Sequence, residues 1–165
     1  MRVIGIDPSS EATGYGLLET NGEKFEVVDY GVIRPGVKRN LAEKLNSLRL
    51  KLDRILSDFT PEEAAIENPF YARNIRTAIT LGQVRGAILV AVASHGCRLY
   101  EYSPREIKKA ITGYGQAEKS QVMSMVRALL HLENKPLSLD ASDALATAFC
   151  HLLHRQASLN CRELQ

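Results

Sequence analysis

Two hydrophobic periods alternate along the 165-residue chain, and the switches between them mark out its elements. Val3, Ile4 and Ile6 form a β-branched run that predicts a buried strand ending on Asp7. Asp7-Pro8-Ser9-Ser10 is a turn cluster, since Pro fixes φ and Asp and Ser bond to nearby backbone. Thr13 to Glu19 and Lys24 to Ile33 read as two more strands joined at the hairpin signal Asn21-Gly22, giving an antiparallel meander. Leu41, Leu45, Leu48, Leu52, Ile55, Leu56 and Phe59 then recur at helical spacing, a stripe expected to cover the sheet.

Ala64-Ala65-Ile66-Glu67 predicts a short buried strand that also stops on an acid. Asn74 is placed to cap a helix reaching about Ser94. That helix is apolar almost all round, which predicts a central position, and Gly82 and Gly86 permit close packing against another helix or a partner chain. Leu99 to Tyr102 reads as a fifth strand. Helices are expected from Pro104 to about Ile111, from Ala117 to about His131, and from Asp140 to about Arg155. Residues 1–156 are thus expected to form one domain, with 157–165 a patternless, disordered tail. The fold class is α/β, a sheet with helices packed on it.

Composition narrows the function only a little. Apolar content of 45% and charged content of 24% suit a globular protein. No run approaches the roughly 18 consecutive apolar residues of a membrane span, and the first strand begins too early for a signal peptide. Cys97, Cys150 and Cys161 are odd in number, match no zinc spacing, and suit a reducing cytoplasm. The net charge of +2 points to no partner, so local clusters must. Seven basic residues oppose two acids from Arg34 to Arg54, including Lys38, Arg39, Lys44, Arg49, Lys51 and Arg54; a solvated face and a binding face read equally well there. Arg73, Arg76 and Arg85 lie in a stretch without acids, and five basic residues oppose two acids from Pro104 to Arg127. Such patches suit a phosphate backbone.

The chemistry concentrates in carboxylates. Asp7 and Glu67 each end a strand, and α/β proteins place sites beyond strand ends. Asp140 and Asp143 are three apart at a helix start and share a face, beside the small residues Ala141 and Ala144. Taken singly, Asp7 equally opens a turn and Asp140 equally caps a helix. Taken together, four carboxylates without nearby Cys or His form an all-oxygen set suited to Mg²⁺ or Mn²⁺. Two such ions activate water and stabilise the leaving oxygen in phosphodiester cleavage.

Several motifs carry a resemblance. In order, they are Gly5-Ile6-Asp7-Pro8 with Thr13-Gly14-Tyr15-Gly16, Glu67-Asn68-Pro69-Phe70-Tyr71-Ala72-Arg73-Asn74, Leu81-Gly82-Gln83-Val84-Arg85-Gly86, Pro104-Arg105-Glu106-Ile107-Lys108, Gly113 to Val122, and Asp140-Ala141-Ser142-Asp143-Ala144. They resemble the motifs of the RuvC-type Holliday junction resolvases across nearly the whole chain. The resemblance implies a ribonuclease-H-like fold with a mixed five-stranded sheet flanked by helices. It implies a homodimer that nicks two strands of like polarity in a four-way DNA junction, with Mg²⁺, in recombination and repair. It also implies work beside a branch-migration complex of a junction-binding tetramer and a hexameric motor. By motif position, Asp7, Glu67, Asp140 and Asp143 carry the metals, expected as two ions per subunit. Phe70 matches an aromatic that stacks on a base, in a loop that Pro69 stiffens. Lys108 and Lys119 match basic residues beside the scissile phosphate, and Tyr71, Arg73 and Arg76 complete the expected DNA-binding set.

Without the resemblance, Lys108 and Lys119 read as solvated lysines, and Phe70 reads equally as a ring tucked beneath its loop. His151 and His154 read as surface or dipole-complementing residues. The Gly5-to-Gly14 stretch also resembles the phosphate loop of actin-like ATPases, which need a second domain and a longer chain. A non-catalytic junction-binding module would lack one or more of the four acids, and all four are present.

Overall fold

The computed structural model describes residues 1–22, 24–36, 40–68 and 74–163, with side chains in the last helix described to 158. Lys38, Arg39, Pro69, Phe70, Tyr71 and Arg73 therefore lie outside the described residues. Among the described residues, five strands and five helices follow one another as β1 (Arg2–Asp7), β2 (Thr13–Thr20), β3 (Phe25–Ile33), α1 (Leu41–Phe59), β4 (Glu63–Glu67), α2 (Ile75–Ser94), β5 (Arg98–Tyr102), α3 (Pro104–Thr112), α4 (Lys119–Leu129) and α5 (Leu139–Glu163).

The sheet order is β3-β2-β1-β4-β5. The first three strands pair antiparallel, as the hairpin signal predicts, while β4 joins β1 in parallel and β5 joins β4 in parallel. This is the ribonuclease-H-like mixed sheet. Alternation along β1 decides what each face buries. Ile4 and Ile6 face α1 and α2, where they pack with Leu48, Leu52, Leu56, Val84 and Ile88. Val3 faces α3, α4 and α5, with Ile107, Val122, Leu145 and Phe149.

The helix α5 lies against β1 and β2 at backbone distance, and glycines make that possible. A Cβ on Gly5 would sit 2.1 Å from the Ala144 carbonyl, and one on Gly14 would sit 2.0 Å from the Asp140 carbonyl. Gly14 pairs with Asp7 and Gly16 with Gly5 across β1 and β2, and their missing side chains admit α5.

Three expectations change. The helix α2 is not central: Val84, Ile88, Ala91 and Val92 are buried, but Ile75, Ile79 and Val90 are exposed, because α1 and the sheet cover one side only. By length and composition this helix is also apolar enough to cross a membrane, contrary to the reading that no run approaches a span. Its inner side packs in the core, and Arg85 pairs with Glu101 of β5. Finally, α5 continues to Glu163 instead of ending near Arg155, although its amphipathic pattern fades there.

Candidate active site

Parallel pairing of β1 and β4 sets Ile6 opposite Ile66, so the next residues, Asp7 and Glu67, come side by side at the strand ends. Past that edge the chain turns at Ser9, whose carbonyl accepts from the buried Thr13 hydroxyl at 3.0 Å. Ser138 starts α5, its hydroxyl accepting from Ala141 N at 3.3 Å and its carbonyl from Ser142 N at 2.9 Å. Asp140, in the first turn, and Asp143, at the start of the second, are thereby relieved of capping, and Asp140 lies over β2.

The electrostatics show how closely the acids gather. Burial, then the neighbouring charges of Glu67 and Asp143, push the Asp7 carboxyl up to about 8, with Asp140 adding a smaller contribution. Glu67 is also raised, by burial and by Asp143. With its pKa at about 8, Asp7 retains its proton at neutral pH when no cation is bound. All four predicted acids therefore belong to one electrostatic cluster, and Asp7 lies at its centre.

Two helices bring counter-charge. The first residue of α4 is Lys119, whose Nζ donates to Asp143 Oδ2 at 2.7 Å. That bond raises the Lys119 pKa. Ser103 and Glu106 form a reciprocal cap at the start of α3, and the helix then carries Lys108 toward Glu67, whose negative charge it favours. Glu67, Lys108, Lys119 and Asp143 line a cleft of about 40 Å³, with Ile107 and Val122 as its apolar wall. That space suits an ion or a few waters.

Among the described residues, no three acidic, His or Cys side chains are already drawn into a metal cage. Repulsion and the Lys119 bond explain the spread: the acids raise one another's pKa values, and Asp143 is held by an ammonium. The donor set itself fits a hard divalent ion. It is carboxylate oxygen throughout, and the raised Asp7 marks excess negative charge that a cation would relieve.

The remaining predicted residues separate. Arg76 is exposed in the first turn of α2 and borders a different cleft, with Ser10, Glu11 and Lys44. Phe70, Tyr71 and Arg73 fall outside the described residues. Other basic residues serve the fold: Arg127 donates to the carbonyls of Leu132 and Lys135, both at 2.9 Å, tying the α4–α5 connection. On α1, Lys44 pairs with Glu11 and Arg49 with Asp53.

The reading of His151 as a surface residue is corrected. It is fully buried, with Nε2 2.7 Å from Glu63 Oε2 and Nδ1 2.8 Å from the Tyr102 hydroxyl. Burial holds its pKa below the usual imidazole range. Glu63 is 1% exposed and was missed, because Pro61-Glu62-Glu63 reads as a polar turn. Its one signal is position, four residues before Glu67 and on the same strand face. His154 is exposed as expected.

With the site described, known proteins bear on it. The family model for crossover junction endodeoxyribonuclease RuvC matches residues 3–151. A relative of that name from Alkaliphilus metalliredigens is 42% identical over 151 residues, covering 92% of each chain. Another from Petrotoga mobilis is 41% identical over 160 residues, covering 97% of this chain and 98% of its own. The structure of T. thermophilus RuvC in complex with a Holliday junction substrate superposes with a TM-score of 0.89 at 31% identity, covering 96% of both chains.

Proposed function

Because the chain belongs to the crossover junction endodeoxyribonuclease RuvC family, we propose that the cluster of Asp7, Glu67, Asp140 and Asp143 is the hydrolytic centre of a nuclease that resolves four-way DNA junctions. The observation that carries this reading is the convergence of two strand ends and one helix start on Asp7. Divalent cations, Mg²⁺ with Mn²⁺ as a substitute and two per subunit, supply activation of water and stabilisation of the leaving oxygen when bound. Asp7 and Glu67 hold them from the sheet, and Asp140 and Asp143 from α5.

The chain's own cations complete the chemistry. Lys119 and Lys108 line the cleft beside Glu67 and Asp143. A phosphodiester entering there meets two ammonium groups that orient its non-bridging oxygens and oppose charge built up during cleavage. Phe70 and Tyr71 offer stacking faces for a base at an opened junction, worth about 1–3 kcal/mol each, and Arg73 and Arg76 extend the backbone contacts.

Symmetric nicking of two strands requires two centres, hence a homodimer. The exposed Ile75, Ile79 and Val90 of α2, with open space at Gly82 and Gly86, support this helix as its interface. Junctions migrated by a junction-binding tetramer and a hexameric motor are the proposed source of substrate, in the cytoplasm, in recombination and repair.

The test is incubation of the full chain with a synthetic four-way junction in Mg²⁺ and in EDTA, with a linear duplex as control. Paired nicks in the junction alone, and in Mg²⁺ alone, are expected. Equal cutting of the duplex, or cutting in EDTA, overturns the reading.

A further inference from the structure

Glu63 and His151 form a buried polar contact at the opposite end of β4 from the acids, and the hydrolytic chemistry does not use it. Besides His151, Glu63 meets the Tyr100 hydroxyl at 3.5 Å and Arg155 Nε at 3.4 Å. The Tyr100 ring lies 4.4 Å from the imidazole, centroid to centroid.

The placement of these groups has a geometric consequence. On β4, Glu63, Ala65 and Glu67 share one face, and four strand steps span about 13 Å. On α5, Asp143, Thr147 and His151 share one face, and eight helix steps span about 12 Å. The two elements face each other through these rows and run in opposite senses. Glu63 with His151, and Glu67 with Asp143, are therefore matched rungs of one ladder.

We propose that His151 is a positioning residue for the metal centre: its bonds to Glu63 and Tyr102 fix the axial register of α5 against β4 and β5, and so fix Asp143 and Asp140 relative to Glu67. This rests on the four-acid reading above. Metal ligands tolerate deviations of about 0.2 Å, whereas a slip of one helix residue moves Asp143 by about 1.5 Å. The contact of α5 with Gly5 and Gly14 limits how closely the helix approaches, but it is backbone against glycine and carries no directional bond. His151 supplies two directional bonds, one to each of two strands. A buried acid–imidazole contact is also a weak way to gain stability compared with apolar packing, which fits a role in specifying register.

The experiment compares the full-length wild type with Asp7→Asn, His151→Leu, His151→Gln and Leu152→Ala. Mn²⁺ affinity is measured by calorimetry without DNA, alongside Tm and junction binding. Leu152 is buried one residue along α5 and serves as the control for simple loss of core stability. Expected are wild-type binding that Asp7→Asn abolishes, a loss of about tenfold or more for His151→Leu, and affinity within about twofold of wild type for Leu152→Ala at a comparable fall in Tm. His151→Gln keeps a donor toward Glu63 but loses Tyr102, so it falls between. If His151→Leu does not fold, the intermediate loss in His151→Gln against Leu152→Ala decides. Wild-type affinity in both His151 variants, or equal losses in His151→Leu and Leu152→Ala, overturns the positioning role. Wild-type protein that binds no Mn²⁺, or binds it regardless of Asp7, instead overturns the four-acid reading itself.

Discussion

Lys119 Nζ and Asp143 Oδ2 lie 2.7 Å apart, an ammonium from the first turn of α4 bonded to a carboxylate in the second turn of α5. The lysine side chain is 68% exposed and the aspartate 15%, so the lysine is the partner free to leave. On the proposed metal assignment, Lys119 occupies the carboxylate that a bound cation would need. Replacing it with Met removes a competitor for Asp143 while also removing a phosphate contact. Lys119→Met is expected to bind Mn²⁺ about two- to fivefold more tightly without DNA, the scale of a partly exposed ion pair, and to cut junctions at least about tenfold more slowly. Calorimetry and single-turnover cleavage read the two effects separately; weaker Mn²⁺ binding contradicts the competition.

Loss of either strand-end acid should remove chemistry and spare recognition. Asp7→Asn and Glu67→Gln are expected to lower the cleavage rate by about 10³-fold or more. Junction affinity, which rests on Lys, Arg and aromatic contacts, should stay within a few-fold. Gel-shift binding beside cleavage in Mg²⁺ makes the comparison, and normal cutting by both variants removes the metal assignment.

The raised Asp7 has a pH signature in EDTA. An unfolded Asp ionises near pH 4, while the folded Asp7 holds its proton to about 8. Between those values the native state binds the extra proton, so metal-free stability falls as pH rises. Below pH 4 both states are protonated and the effect vanishes. Asp7→Asn should flatten this slope, melting about 3 °C or more above wild type at pH 8 and close to it at pH 4. Mg²⁺ should raise the wild-type Tm at pH 8 and leave the variant unchanged. A wild-type Tm in EDTA that climbs from pH 5 to 8 more than the variant's contradicts the sign.

The glycine contact offers a steric test. An alanine at position 14 would press its Cβ against the Asp140 backbone carbonyl at 2.0 Å, a group that cannot swing aside, so α5 must move. Gly14→Ala is expected to cost about 1–3 kcal/mol and, by displacing Asp140 and Asp143, to slow cleavage by about 10²-fold. Wild-type cleavage in a folded Gly14→Ala variant would mean that the acids tolerate a shifted helix.

At α2, Ile79→Glu should leave the fold intact, since Ile79 is 58% exposed, and convert a dimer to a monomer. Sedimentation at micromolar protein reads this directly; unchanged sedimentation moves the interface elsewhere.

Much of this was legible in the residues themselves. Asp7 and Glu67 show as acids closing β-branched or small apolar runs, and their pairing follows from parallel strands. The assembly of Asp140 and Asp143 onto them is a tertiary fact, hinted at only by Gly14, Ala141 and Ala144. The resemblance, not the spacing, supplied the junction. Two of the corrected readings share a physical reason, that burial is set by tertiary packing. Apolar periodicity reports what avoids water, so it cannot distinguish the buried Ile88 from the exposed Ile79 on one helix. Burial of Glu63 and His151 is invisible locally, because each is a polar residue whose partner lies 88 positions away.

The most direct measurement of the central claim is anomalous-difference density from crystals of the wild-type protein grown in Mn²⁺. Peaks are expected within coordination distance, about 2.0–2.6 Å, of oxygens from Asp7 and Glu67 and from Asp140 and Asp143 of α5, with Lys119 withdrawn from Asp143. No peak there, or peaks held by other residues while Lys119 stays on Asp143, would contradict a metal centre built from these four acids.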